Sequence, residues 1–422
     1  MLLQFNFKNF KSFLDDTTLD MTAAKISEYE NHLIKIGGEN ILPVAAIFGS
    51  NASGKSNVIE AFEYMHMYVI DSFNYGGDSS KKDKGTFLKP TPFIFNSDSA
   101  NAESTFEVYF IDNDDEKERT YNYGFSIDAE GVVEEWLNVK AKTAKEANRV
   151  FYRNRKENVL DLNSFDNKTR ENLAAALESE ALIVSLGSKL KIDKLKLVRD
   201  WFVKNELTNF GEPIQTLVLS NLLPNNFADD ENVRKNVLAY LSSFDNSIVD
   251  FKVAVIKGEK EEDNKFKIDS VHKMTDGKGF ASIPLQNESS GTLKMFALYP
   301  FLNEVLSKGG ILFVDELNAK LHPLLVRVFV QMFLNKELNP NNAQLIFTTH
   351  DTWQLNSNLL RRDEIWFTEK QDNGVSQLYS LVDFVDNDGD KIRKDENYEK
   401  NYLLGKYGAI PTLKFIDLFK EE

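Results

Sequence analysis

One stretch constrains the fold of this chain more than any other: Pro43-Val-Ala-Ala-Ile-Phe-Gly49-Ser-Asn-Ala-Ser-Gly54-Lys55-Ser56-Asn57. An apolar run breaks there into a loop bounded by glycines and resumes as Val58-Ile59-Glu60-Ala61-Phe62. The spacing fits G-x-x-x-x-G-K-[ST], the P-loop pattern. Residues 44–48 read as a buried strand, and Gly49 and Gly54 allow the backbone angles and close approach that a phosphate needs. The helix that follows turns its free N–H groups toward the anion. Lys55 is placed to neutralise β- and γ-phosphates and Ser56 to ligate Mg²⁺, inside a cradle of Gly49, Ser50, Asn51, Ala52, Ser53, Gly54, Lys55, Ser56 and Asn57. The bland alternative is a Gly/Ser turn that binds nothing; the strand, loop and helix in the required order favour a nucleotide.

At 422 residues the chain is long enough for two or three domains' worth of core, and 42% hydrophobic with 27% charged residues is the balance of a folded protein. It has no cysteine, which excludes a disulfide framework or a Cys-based zinc site. The opening residues alternate like a strand and lack a signal-peptide core, so a reducing, cytoplasmic location is expected. No apolar run reaches the roughly 18 residues of a membrane span. The formal net charge is −15, from 65 acidic and 50 basic residues. Such a surface repels nucleic acid, so DNA or RNA contact would need a local basic patch, a partner or a channel.

Period-two alternation predicts strands over 2–7 and 17–21 as a hairpin, and another over 32–36. A helix is expected from 55 to about 73, then a mobile loop over 74–89. Residues 104–111, 119–127 and 132–139 read as an antiparallel meander. Helical periodicity runs from about 165 to 240, clearest at 170–186 and 194–202, and is read as a compact inserted domain. Strands return at 249–256 and 265–271 around a charged turn at 258–264, and helix, strand, helix, strand fill 291–347. The expected division is 1–154 and 246–422 as two parts of one α/β head, with 155–245 as the insertion.

Three further elements carry chemistry. Gly309-Gly-Ile-Leu-Phe-Val-Asp315-Glu316 is an apolar strand ending in two acids: Asp315 can hold Mg²⁺ through its water shell, and Glu316 can polarise a water beside the γ-phosphate. Alone, such a strand end is as readily a plain terminus. Ala343-Gln-Leu-Ile-Phe-Thr-Thr349-His350-Asp351 ends in a histidine that either caps a loop or senses the γ-phosphate. Asn287-Glu-Ser289-Ser290-Gly291-Thr292 opens an apolar helix, as a simple N-cap or as an anion site. Following a P-loop, each is read as functional.

In this order the four elements resemble the ABC ATPase head, and more narrowly its SMC, RecF and OLD branch, in which the signature lies far from the P-loop. Phe7-Lys-Asn9-Phe10-Lys-Ser-Phe13 resembles the opening of that branch, and Leu317-Asn318-Ala-Lys-Leu321-His322-Pro323 resembles its D-loop. Arg361-Arg-Asp363-Glu-Ile-Trp366-Phe and Tyr402-Leu-Leu-Gly405-Lys-Tyr407-Gly408-Ala-Ile-Pro411 look like the closing motifs of bacterial ATPases of abortive-infection and restriction-modification loci, the AbiL and RloA type. The resemblance implies an ATPase with ATP and Mg²⁺ as cofactors. Two heads would sandwich two ATPs, each closed by Ser289, Ser290 and Gly291 of the opposite copy, with Glu316, His350 and Lys55 serving hydrolysis. It also implies a sensor in phage defence whose effector, a nuclease, is a separate protein. Two departures stand out: Glu288 and Ser290 replace the Leu and Gly of transporters, and no Q-loop glutamine is found where 93–96 should supply it.

Two basic groups, 189–199 beside Trp201 and the set Arg149, Arg153 and Arg155, fit either nucleic acid or a solvated face, and apolar residues at core spacing favour the latter. The acidic run 386–390 fails the EF-hand spacing and reads as a turn. A RecF-like repair ATPase and a non-hydrolysing, ATP-assembled scaffold remain as rival readings; a transporter subunit fits least.

Overall fold

The computed structural model describes residues 1–75, 88–212, 227–256, 265–385, 389 and 391–411. Most of the loop expected at 74–89, the turn at 258–264 and most of the acidic run at 386–390 lie outside the described residues.

β1 (Leu2–Lys8) and β2 (Thr17–Asp20) pair antiparallel, with Phe5 opposite Leu19, as the alternation predicts. β3 (Ile34–Ile36) and β4 (Glu39–Ile41) form a hairpin. β5 (Val44–Gly49) is buried along its whole length and runs through the glycine loop into α1 (Lys55–Asp71). The meander comprises β6 (Ser104–Ile111), β7 (Thr120–Asp128), β8 (Gly131–Lys140), β9 (Asn148–Asn154) and β10 (Val159–Asp161). With β1 and β2 it makes a seven-stranded sheet ordered β10-β9-β8-β7-β6-β1-β2.

The helical stretch departs from expectation in two ways. The single periodicity over 170–186 splits into α2 (Asn167–Ala176) and α3 (Ile183–Lys189), which α4 (Asp193–Val203) follows. The break has a cause: fully buried Glu135 of β8 accepts from the Ile183 and Val184 amides at 2.8 and 3.2 Å, fixing a helix start there. Next, β11 (Glu206–Asn209) is a strand, running parallel to the first-acid strand. Helices α2 to α4 share one core with α1 and the antiparallel sheet, through Leu173, Val184, Leu195 and Phe202.

Beyond α5 (Glu231–Ser242), β12 (Ile248–Ile256), β13 (Lys265–Lys273) and β14 (Phe280–Pro284) form a three-stranded antiparallel sheet. Then come α6 (Ser290–Lys308), β15 (Ile311–Asp315), α7 (Pro323–Leu334), β16 (Gln344–Thr348), β17 (Ile365–Lys370), β18 (Ser376–Ser380) and α8 (Tyr398–Leu403). The second large sheet is ordered β11-β15-β16-β5-β17-β18, parallel except for β18. Both its faces are covered, which is why its strands read as unbroken apolar runs. Ala45 and Ile47 face the core around α1, while Val44, Ala46 and Phe48 face a second core built from α5, α6 and α7.

Phe62 of α1 holds this arrangement together. Its ring stacks on Phe313 of β15 at 4.0 Å and meets Phe5 of β1 edge-on at 5.3 Å, so one side chain bridges the P-loop helix and both large sheets. The closing motifs also prove to be clamps. Arg361, fully buried, chelates Asp363 at 2.7 and 2.9 Å and donates to the Glu28 carbonyl, and Tyr402 donates to the Ala409 carbonyl at 3.0 Å.

The basic groups are largely engaged. Arg153 is paired with buried Glu135 at 3.1 Å, Arg155 with Asp128 at 2.7 Å, Arg149 with Asp161 at 3.9 Å and Lys196 with Asp200. Among the described residues no helix is long and apolar enough to cross a membrane.

Phe62→Ala is expected to destabilise the protein by about 3–5 kcal/mol, because it opens a cavity where three elements meet. Urea unfolding followed by circular dichroism measures the loss; a change below about 1 kcal/mol would contradict the role given to this ring.

Candidate functional site

The glycine loop leaves the carboxyl end of β5, the edge at which parallel α/β sheets place ligands. Gly49 is required by packing: a Cβ there would lie 2.5 Å from the Thr368 carbonyl and 2.6 Å from Ser53 Oγ. Ser53 and Thr368 share a hydrogen bond of 2.6 Å that ties the loop to β17. Gly54, at φ 109°, caps α1, and a Cβ there would lie 2.7 Å from Ser376 Oγ. Lys55 Nζ, only 5% exposed as a residue, donates to the carbonyls of Gly49 at 3.0 Å and Ser50 at 2.9 Å. Burial pushes its ammonium down to about 8, while the charges of Asp315 and Glu316 pull the other way.

A cavity of about 510 Å³ opens above the loop, lined by Asn51, Ala52, Gly54, Lys55, Ser56 and Asn57 together with Glu316 and His350. Residues of the P-loop, the strand ending in two acids and the strand ending in histidine thus meet around one space. Ser12 and Lys370 line it too, and the sequence reading gave neither a role. Ser12 lies in the Asn9–Phe13 stretch and accepts from Asn57 Nδ2 at 2.6 Å. Asn9 of the same stretch accepts from the Phe93 amide at 3.0 Å, anchoring the segment where a Q-loop was sought.

Asp315 ends β15 with its carboxylate held from two sides. Thr348 Oγ1 donates to one oxygen at 2.5 Å and Asn209 Nδ2 to the other at 3.1 Å. The same Thr348 hydroxyl accepts from the Glu316 amide at 2.8 Å. Glu316 sits at φ 52°, a left-handed conformation unusual for a non-glycine residue and typical of strained functional positions. Asn318 Oδ1 accepts from Thr349 Oγ1 at 2.9 Å and from the His350 amide at 3.2 Å, joining the D-loop-like turn to the histidine. Desolvation and the Lys55 charge hold the His350 imidazole below its ordinary range, against the pull of Glu316 and Asp315, which favours the neutral ring. The donor set suits a triphosphate with a hard divalent cation: a lysine in the loop, a hydroxyl on the first helical turn, and carboxylates opposite.

The serine–glycine start of α6 stands apart. Ser289 caps the helix, accepting from the Thr292 amide at 3.1 Å. Ser289 and Ser290 are exposed, and neither they nor Gly291 line the cavity of their own chain. The sequence reading missed Thr348, Asn209 and Lys370. The Thr-Thr pair before His350 was a visible signal; nothing marked Asn209.

The family model described as "AAA domain, putative AbiEii toxin, Type IV TA system" matches residues 44–352, more than half of the chain. No curated protein matches. Among solved structures the chain is similar to an SMC head bound to the C-winged helix domain of ScpA, at 16% identity and a TM-score of 0.43, over 90% of this chain and 97% of that one. It is also similar to the dimeric post-hydrolysis state of the ATP-binding cassette MJ0796 bound to ADP and Pi, at 14% identity and a TM-score of 0.32, over 90% and 100% of the two chains.

Thr348→Val keeps the shape of the buried side chain but leaves the Asp315 carboxylate and the Glu316 amide each short of a partner. A stability loss of about 1–3 kcal/mol is expected in urea melts, and Thr348→Ser should recover most of it. Equal melts for the valine and native proteins would show that this hydroxyl does not organise the acids.

Proposed function

The chain belongs to the AAA domain family described as putative AbiEii toxin, Type IV TA system, and on that premise we propose that its α/β P-loop fold is an ATPase head of the ABC type that binds and hydrolyses ATP. The observation that carries this reading is the single cavity shared by Lys55, Ser56, Glu316 and His350. Gly49 to Asn57 would cradle the phosphates, and Lys55 would exchange the carbonyls of Gly49 and Ser50 for β- and γ-oxygens. Ser56 and Asp315 would hold Mg²⁺, which supplies charge neutralisation on the triphosphate when bound. Glu316 would orient the attacking water and draw off its proton. The neutral His350 ring would hydrogen-bond the γ-phosphate side.

We extend the proposal to a head-to-head pair of copies. Ser289, Ser290 and Gly291 would close over the nucleotide of the opposite copy; their exposure, away from their own cavity, supports this arrangement. ATP state would then set the pairing, and the pairing would govern a separate effector, a nuclease, in defence against phage. The paired arginines of β9 offer little to a direct DNA-coating role.

ATP turnover by the purified protein tests the core of this reading. Lys55→Ala and Glu316→Gln should each lower kcat by about 10²-fold or more, EDTA should abolish turnover, and Glu316→Gln should accumulate an ATP-dependent assembly twice the mass of the free chain. Unchanged turnover in both variants would sink the site assignment. ATP-driven assembly in the native protein without turnover would favour the scaffold reading.

A further inference from the structure

Lys294 lies on α6, one turn beyond the Ser289–Gly291 start, and is 1% exposed. Among the described residues no carboxylate forms an ion pair with it. Its Nζ donates instead to the Ala319 carbonyl and, at 3.3 Å, to the Phe210 carbonyl, and stands 4.1 Å from the centroid of the Phe210 ring. A buried ammonium held only by carbonyls and a ring face is costly, and a leucine or methionine would fill the same space without that cost.

Its contacts show what the charge fastens. Ala319 lies in the turn that follows Glu316, and the Ala319 amide donates back to the Glu316 carbonyl at 2.9 Å. Phe210 donates its amide to the Asp315 carbonyl at 2.9 Å. The next residue, Gly211, is pressed so close to Glu316 that a Cβ there would lie 2.6 Å from the carboxylate. Lys294 thus grips both walls around Glu316. On the same helix, a Cβ at Gly291 would lie 3.6 Å from the Lys320 carbonyl, so the helix start runs close beside this turn. The charged groups that face Lys294 are Lys320, which disfavours its charge, and Glu316, which favours it.

We infer that Lys294 is a positioning residue that couples the Ser289–Gly291 helix start to Glu316, so that engagement of that helix start sets the placement of the water-activating carboxylate. This rests on the ATPase reading above and adds to it a device for making turnover depend on the paired state.

The test compares the native full-length chain with Lys294→Met, which keeps the bulk, and Lys294→Arg, which keeps the charge and N–H donors. Lys294→Met is expected to lower kcat about 10–100-fold while KM for ATP moves less than about 3-fold, since only the placement of the reacting groups is lost. Lys294→Arg should restore kcat to within about 5-fold of native. Native kcat in Lys294→Met, or equal losses in both variants, would overturn the inference. Amide hydrogen exchange over 316–321 reads the coupling without turnover: Lys294→Met should speed it about 10-fold or more, and unchanged exchange would overturn the inference. If the native protein shows neither ATP binding nor turnover, the ATPase reading fails by itself and the exchange result alone decides on Lys294.

Discussion

A single buried hydroxyl holds together the two acids at the end of β15. Thr348, fully buried at the carboxyl end of β16, gives its proton to Asp315 and takes the amide proton of Glu316. The two acids are neighbours in sequence but belong to different conformations: Asp315 completes a strand, and Glu316 has already turned into the left-handed region. A hydroxyl is suited to the junction because it can donate and accept at once, and in a buried site neither demand can be met by water. That bond exists only because β15 and β16 are parallel neighbours with Phe347 opposite Val314, which brings residue 348 level with residue 315.

The register depends in turn on how the two sheets are stitched. Gln344, fully buried at the start of β16, accepts from the Leu2 amide at 2.6 Å and donates to the carbonyls of Leu2 and Leu42 at 3.0 Å. A polar side chain with no access to solvent is tolerated because three backbone groups satisfy it. It fixes the antiparallel sheet to the parallel one at the start of β16, the end away from the cavity. Together with Phe62 packed between the sheets, it ties the strands beneath the cavity to the antiparallel sheet.

Sequence made the strongest of these features plain and left the rest silent, for physical reasons. β5 was legible because burial on both faces demands an unbroken apolar run, and the loop because few sequences other than a phosphate cradle place glycine, lysine and serine so. β1 and β2 showed their alternation because only one face of that sheet is covered at each position. β11 could not be read: Glu206-Leu-Thr-Asn209 has no period of its own and is a strand only because the edge of β15 offers it partners. The division between α2 and α3 was hidden because its cause, Glu135, lies far upstream in the sequence. Thr348 stands in a visible Thr-Thr pair, but its role, like that of unmarked Asn209, is a contact and not a motif.

The electrostatics of the cavity follow from the same burial. A chain with net charge −15 would give the anionic ligand proposed for it no help from its overall field. Lys55 meets this locally, at some cost: desolvation weakens its hold on the proton, and the nearby acids Asp315 and Glu316 restore part of it. The same acids work against the task by repelling phosphate. Order in space would resolve the conflict: the lysine stands in the loop that would wrap the anion, while the acids stand across the cavity, where a divalent cation and a water molecule would separate them from it. Lys294 repeats the pattern one layer out, as a cation that pairs with no carboxylate among the described residues, shielded from water and held near Glu316. Placing cations in the interior lets the outer surface of the chain remain acidic while the cavity would still accept an anion.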